Sequence, residues 1–317
     1  MNVKSFLELV EIRTKVASMI PYIMGTLYAL YRFDTFYPLH AVLMLVSLLS
    51  FDMATTAINN YYDFKKAMKT HGYGYETHNP IVSRGLKERT VVLTICTLLG
   101  LAAAGGLLLV ANTGLMVFLL GGLSFLIGIL YSFGPIPISR MPLGELFSGL
   151  FMGFVIIFVS AYIHAGSSLV ALTFDGAWVR LDIQLAEVIY LFLFSVPAIC
   201  GISNIMLANN ICDVEDDVEN KRYTLPVYIG TGPALLLFRW LYYVSYLDLV
   251  VLMWLGVHPL LVLPVLLTLI PLRRNIGVFI LNPIKAVTFV LAVNNFVLLN
   301  LARIGVLVLA VVIQRLV

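Results

Sequence analysis

The sequence is poor in charge. Only 12% of its 317 residues are Asp, Glu, Lys or Arg, about half of the ~25% that a soluble domain carries. With 61% hydrophobic residues and a mean hydropathy of +0.97, a water-exposed globular fold is excluded. The chain reads as a polytopic membrane protein whose first partner is the lipid bilayer. A formal net charge of +3 gives no reason to expect nucleic acid, and the basic residues are better read as topology signals. Cysteine is scarce: Cys96, Cys200 and Cys212 show no C-x-x-C spacing and sit in apolar or helical contexts, so they are read as small packing residues rather than as a disulfide or a metal set. The histidines, His71 and His78 among them, are too scattered for zinc. No low-complexity segment is present. Residues Met1 to Arg13 mix Lys4, Glu8, Glu11 and Arg13 with apolar positions, which is not the pattern of a cleavable signal peptide.

What the sequence has in abundance is apolar runs of about 20 residues, the length that crosses a hydrocarbon core as helix. Nine candidates follow, at roughly 15–33, 38–64, 90–111, 113–133, 143–166, 186–212, 233–255, 257–273 and 285–313. The turn at Gly256-Val257-His258-Pro259 is short, and Arg303 interrupts the last run. With the N-terminus in the cytoplasm, most basic residues, from Lys4, Arg13 and Lys15 through Lys65, Lys66 and Lys69 to Arg273, Arg274 and Lys285, fall on that side. Arg32, Arg180 and Arg315 fall on the other. This asymmetry predicts a cell-membrane, multi-pass protein with a cytoplasmic N-terminus. The expected fold is all-α: a single domain over 1–317 with about nine transmembrane helices ringed around a central cavity. A cytoplasmic cap is expected from the polar loops at about 65–89, which carries Gly72, Gly74, Pro80 and Gly85 as breakers, and 213–232.

The acids are concentrated. Asp213, Glu215, Asp216, Asp217 and Glu219 lie within seven residues at the end of one apolar run, out of seventeen acids in the chain. Asn209, Asp213 and Asp217 are spaced i, i+4, i+8 and share a helical face. Asn59 and Asp63 end another apolar run with the same Asn-x-x-x-Asp spacing. Magnesium takes hard oxygen ligands and commonly bridges one or two carboxylates to substrate phosphates, so the two clusters are read as one metal site: Asp63 and Asn59 on one side, Asp213, Asp217 and Asn209 on the other. A solvated acidic loop is the plainer alternative, and Glu215, Asp216 and Glu219 fit it. Asp52 lies on the same helical face as Asn59 and Asp63, within about 20°; half-way along a span, a carboxylate needs a wet cavity or a partner. Asn60, Tyr62 and, after the fourth span, Tyr131 widen the polar lining. Lys65, Arg84, Arg140, Lys221 and Arg222 surround the acids and are candidates for binding a diphosphate, or are charges that only set topology. Gly144-Glu145 opens the fifth span.

These residues together resemble the UbiA superfamily of intramembrane aromatic prenyltransferases. Its second motif, DxxxD, is intact as Asp213-x-x-x-Asp217. Its first, NDxxDxxxD, is matched at Asn59 and Asp63 but has Asn60 and Ala67 at acidic positions. The naphthoate branch has an acid slightly later, where this chain has Lys69, with Glu76 nearby in the loop. Leu207 to Asn210, Lys221 to Pro226, Asn59 to Lys66, Ile81 to Gly85 and the element Tyr131-Ser132-Phe133-Gly134-Pro135 are similar to the branch acting on 1,4-dihydroxy-2-naphthoate. The resemblance implies Mg2+-dependent transfer of a polyprenyl group from its diphosphate to that aromatic acceptor with decarboxylation, giving demethylmenaquinone, and no obligate protein partner. Two alternatives are carried beside it: another aromatic acceptor such as 4-hydroxybenzoate, and, from a different class, a cation-coupled membrane transporter.

Overall fold

The computed structural model describes residues 1–66, 79–132 and 137–316, the side chains of Lys66 and Ser132 excepted. The expectations for Ala67, Lys69, His71, Gly72, Gly74, Glu76 and His78, and for Phe133 to Pro135, lie outside the described residues. Helix dominates. Seven helices among the described residues are long and apolar enough to cross a membrane: Pro38–Lys65, Glu88–Thr113, Gly144–Ser168, Leu185–Cys212, Thr231–Trp254, Pro259–Leu281 and Val290–Leu316. The two other expected spans are shorter helices, Val16–Phe33 with 18 residues and Leu115–Ser132 with 18. Many outward side chains are large and apolar, Leu93, Leu107 and Leu281 for instance, as a lipid-facing surface requires.

The chain divides into two compact units. The first comprises Met1–Met19 and Leu39–Ser132. It contains α1 (Val3–Leu9), the start of α2 (Val16–Phe33), α3 (Pro38–Lys66), the single turn α4 (Pro80–Ser83), α5 (Glu88–Thr113) and α6 (Leu115–Ser132). Helix α1 starts at Asn2, whose side chain accepts from Ser5 N–H. Helix α4 starts at Asn79 in the same way, with Pro80 supplying the preset φ of a first turn. Ser47 Oγ of α3 donates to the Ala102 carbonyl of α5 at 2.8 Å, and Phe51 stacks on Phe125 of α6 at 4.0 Å between ring centres.

The second unit comprises Ile20–Pro38 and Phe133–Val317. Helix α7 (Gly144–Ser148) runs through π-helical turns (Gly149–Val155) into α8 (Ile156–Ala165). A two-stranded hairpin follows, β1 (Val170–Asp175) and β2 (Trp178–Ile183), then the 28-residue α9 (Leu185–Cys212). Beyond it come α10 (Val214–Glu219), α11 (Leu225–Ile229), α12 (Thr231–Val244), α13 (Asp248–Trp254), α14 (Pro259–Val262), α15 (Leu269–Leu281) and α16 (Val290–Leu316). Gly149 and Gly153 let the π-helical turns press on α9: a Cβ at Gly149 would lie 2.1 Å from Ser203 Oγ, and one at Gly153 2.6 Å from Ile199 Cα. Such small-residue spacing is how membrane helices approach closely where burial from water gives no drive. Leu207 and Ile211 of α9, Phe238 and Tyr242 of α12, Phe279 of α15 and Leu299 of α16 form the core of this unit.

Three findings refine the sequence reading. The all-α expectation holds for the spans, with the hairpin as an addition. The short turn at Gly256 to Pro259 separates two spans as expected: Gly256 has φ +93°, and His258 caps the next helix through Leu260 N–H. Arg303 does not interrupt α16. Its guanidinium is fully buried and grips Asp248 of α13 with two bonds, at 2.6 and 2.7 Å, while donating to the carbonyls of Leu299 and Ser245. A charge on a span is tolerated because its partner and both carbonyls travel with it.

Candidate active site

Helix α9 ends where Asp213 leaves helical geometry, at φ −106° and ψ 11°. The hydrogen-bond ladder nevertheless continues through the break: Asp213 N–H donates to Asn209 C=O at 3.1 Å, and Asp217 N–H to Asp213 C=O at 2.7 Å. Asn209, Asp213 and Asp217 therefore remain on successive turns, as their spacing predicts. Helix α10 closes with Arg222 N–H bonded to Asp217 C=O at 2.8 Å and Lys221 N–H to Val218 C=O at 3.2 Å. This is a Schellman closure, with Lys221 at φ +54° in the position where glycine is usual.

The closure folds the following residues back onto Asp217, which is 2% exposed. Thr224 Oγ donates to its Oδ2 at 2.9 Å, and Arg222 Nε lies 3.3 Å from its Oδ1. Burial, the largest effect, raises the Asp217 pKa; Arg222 and the Thr224 bond oppose it, Asp213 adds to it, and Lys285 opposes it. Asp213 is held by Lys285 Nζ, which donates to its Oδ2 from the connection between α15 and α16. The Asn209 side chain is half-buried and makes no hydrogen bond among the described residues. Lys221 is exposed, and Arg140, also exposed, accepts Tyr223 N–H on its backbone carbonyl at 3.1 Å.

Beneath this cluster a second carboxylate is buried. Glu145, at the start of α7, accepts from Asn210 Nδ2 at 2.8 Å, and its own carbonyl accepts from Ser203 Oγ at 2.9 Å. Glu145 and Asn210 are 5% and 1% exposed. The pair fixes the last turn of α9, and so the direction in which Asn209 and Asp213 project.

The other cluster is built differently. Asn59 and Asp63 are both exposed on the last turns of α3. Asn60 is buried and structural: its Nδ2 donates to Leu9 C=O at 3.0 Å and to Glu11 Oε1 at 3.3 Å, and its carbonyl accepts from Asn79 Nδ2 at 2.8 Å. Tyr62 is half-buried on α3, and Tyr131 is half-buried on the last turn of α6. Lys65 pairs with Glu88 at 2.7 Å. Arg84 forks onto Glu8 with bonds of 2.5 and 2.6 Å. Asp52 has partners: buried Lys15 donates to its Oδ1 at 2.7 Å, and Ser18 to its Oδ2 at 2.5 Å.

Sequence reasoning missed Lys285, Thr224 and the Glu145–Asn210 pair as parts of the second cluster. Thr224 sits two residues beyond Arg222 in a stretch already singled out, and Gly144-Glu145 was visible as the opening of a span. Lys285 carried no signal beyond its side of the membrane.

Among the described residues no group of three or more His, Cys, Asp or Glu gathers closely enough to enclose a metal. Two carboxylates and one amide oxygen on adjacent turns, with cations beside them, instead suit an ion that brings most of its ligands from phosphate and water, as magnesium does.

The profile of the UbiA prenyltransferase family matches residues 18–295. The chain belongs to this family. It is a multi-pass membrane prenyltransferase, and the transporter alternative falls with that assignment. The 1,4-dihydroxy-2-naphthoate octaprenyltransferase of Bacillus subtilis is 31% identical over 246 residues, covering 77% of this chain and 71% of that protein. Solved structures of the family share the fold. A UbiA homologue from Aeropyrum pernix K1 has a TM-score of 0.68 at 17% identity, covering 90% of this chain and 96% of its own. One from Archaeoglobus fulgidus, bound to GPP and Mg2+, has a TM-score of 0.58 at 18% identity, covering 97% and 99%.

Proposed function

We propose that this UbiA-family chain transfers a polyprenyl group from a polyprenyl diphosphate to 1,4-dihydroxy-2-naphthoate in a magnesium-dependent reaction. The C–O bond to the diphosphate breaks, a C–C bond to the ring forms, and the acceptor loses its carboxylate as carbon dioxide. The observation that carries the reading is the second cluster: Asp213 and buried Asp217 on successive turns above Asn209, flanked by Lys285 and Arg222. The similarity to a naphthoate octaprenyltransferase supports the acceptor. The Archaeoglobus homologue with GPP and Mg2+ supports the donor and the metal.

Asp213, Asp217 and Asn209 are the residues proposed to hold magnesium, with Asn59 and Asp63 proposed for the same role on their spacing alone. Magnesium there would supply positive charge to the departing diphosphate. Lys285, Arg222 and Lys221 bring further cationic donors to the phosphate oxygens, where charge accumulates as the bond breaks. For Lys65 and Arg84 the same role requires release from Glu88 and Glu8. Tyr62 and Tyr131 are proposed contacts for the aromatic acceptor. Apolar spans exclude water, which would otherwise capture an allylic cation. The excess of Lys and Arg on one side supports placing this end of the protein, and the N-terminus, in the cytoplasm of a cell with the chain in its cell membrane.

Purified protein given a polyprenyl diphosphate and a panel of acceptors, with and without Mg2+, tests the reading. Product is expected with dihydroxynaphthoate and only with the metal. Product with 4-hydroxybenzoate and none with dihydroxynaphthoate would replace the acceptor, and full turnover in chelator would remove the metal.

A further inference from the structure

The hairpin between α8 and α9 is strictly two-faced. Its register pairs Val170 with Ile183, Leu172 with Leu181 and Phe174 with Val179. Directly paired residues share a face, so one face carries six apolar side chains and nothing else. The alternate pairs, Ala171 with Asp182, Thr173 with Arg180 and Asp175 with Trp178, put the polar residues on the other face, where Arg180 Nε donates to Asp182 at 2.9 Å. A two-residue loop closes the turn, and Gly176 at φ +57° supplies the conformation that its first position needs. The apolar face is largely bare: Phe174, Val179, Leu181 and Ile183 are 61, 63, 50 and 51% exposed. A water-facing surface of this kind invites association.

Position decides what covers it. The span Gly144–Ser168 ends two residues before β1, and the span Leu185–Cys212 begins two residues after β2. Both feet of the hairpin therefore stand at the membrane boundary, and six-residue strands reach only about 20 Å from them. On the β2 side the bare apolar side chains lead into Leu185 and Ile189, 66 and 45% exposed on the span that follows. Trp178, 79% exposed at the turn, is the side chain most favoured at headgroup level. The hairpin stands at the start of α9 and the acidic cluster at its end, about 42 Å apart along 28 residues.

We propose that the hairpin lies in the membrane interface with Phe174, Val179, Leu181 and Ile183 in lipid and its Thr173/Arg180/Asp182 face in water. It anchors α9 in the leaflet opposite the acidic cluster. This stands whichever acceptor the enzyme uses.

Tryptophan fluorescence tests the assignment. The three native tryptophans, Trp178, Trp240 and Trp254, are replaced by Phe, and a single tryptophan is returned as Phe174→Trp, Val179→Trp or Thr173→Trp. Each variant is reconstituted in phosphatidylcholine vesicles with or without brominated acyl chains, and circular dichroism confirms the helical content. Bromolipid is expected to quench the 174 and 179 reporters severalfold more than the 173 reporter. Equal quenching at all three positions overturns the proposal. So does protection of 174 and 179, whether by water or by a second copy of the chain covering the face.

Discussion

Two stretches of the molecule carry the same Asn-x-x-x-Asp spacing in opposite settings. At the end of α3, Asn59 and Asp63 are exposed, while the polar residues around them are committed elsewhere, Asn60 to the α1 turn and Lys65 to Glu88. At the end of α9, Asp217 is buried and Asp213 is held by Lys285. A second buried layer, Glu145 with Asn210, fixes the helix end beneath them. Identical spacing thus yields one preorganised carboxylate pair and one exposed set. Preorganised charge does the larger part of electrostatic catalysis, because it needs no rearrangement as the reaction proceeds.

The comparison is broken most sharply by removing the carboxylates. Asp217→Asn is expected to lower kcat by about 10²–10³-fold, the scale of losing one preorganised electrostatic group, with Asp213→Asn close behind. Asp63→Asn should cost less in kcat and show more of its effect in the Mg2+ concentration needed for half-maximal rate. Steady-state kinetics across a Mg2+ titration reads both. Equal kcat losses at Asp63 and Asp217 would show that burial in the second cluster confers no advantage.

Glu145→Ala sharpens the same contrast through stability. It leaves the buried Asn210 amide without its acceptor, which is expected to cost about 1–3 kcal/mol. Thermal unfolding in detergent should register this as a lower Tm, and Glu145→Gln, which keeps an acceptor oxygen for Asn210, should recover most of it. A Glu145→Ala protein as stable as the parent would mean that the second layer does not hold the α9 end.

Much of this was legible in advance because a bilayer imposes a length. Seven of the expected spans correspond to helices long and apolar enough to cross a membrane among the described residues, and the i, i+4, i+8 pattern at Asn209, Asp213 and Asp217 survived the break at Asp213. Contacts distant in sequence were not legible. Lys285 is 72 residues from Asp213, and Asp248 is 55 from Arg303; nothing local marks either as a partner. The hairpin was a different kind of miss. Its alternation of apolar and polar residues around Gly176 is a strand signal, obscured by the apolar runs on either side. The turn at Lys221 had no signal, since its left-handed position is filled without glycine.

That turn offers a separate prediction. Lys221→Gly should relieve the left-handed strain, stabilising the protein by up to about 1 kcal/mol. If the ammonium serves the diphosphate, the same change should raise KM for the polyprenyl diphosphate. Lys221→Asn tolerates the conformation nearly as well and also lacks the charge. A raised KM in both variants assigns the effect to charge, whereas a rise in Asn alone assigns it to the backbone.

The smallest effect belongs to the exposed ion pair of the first unit, where Arg84 holds Glu8. The hydrogen bond from Arg84 lowers the Glu8 pKa below its ordinary value of 4.5, so the folded protein keeps this carboxylate ionised in more acid solution than the unfolded chain does. The stabilisation is therefore present above the unfolded pKa and lost as pH falls through the folded one. Glu8→Gln should lower Tm slightly at neutral pH, and the gap to the parent should close as pH falls through the lowered pKa of the folded state, where the parent's own carboxylate protonates. Both groups are on the surface, so the gap should also shrink in high salt. A gap that persisted unchanged in acid and in salt would mean that Glu8 acts through packing and not through Arg84.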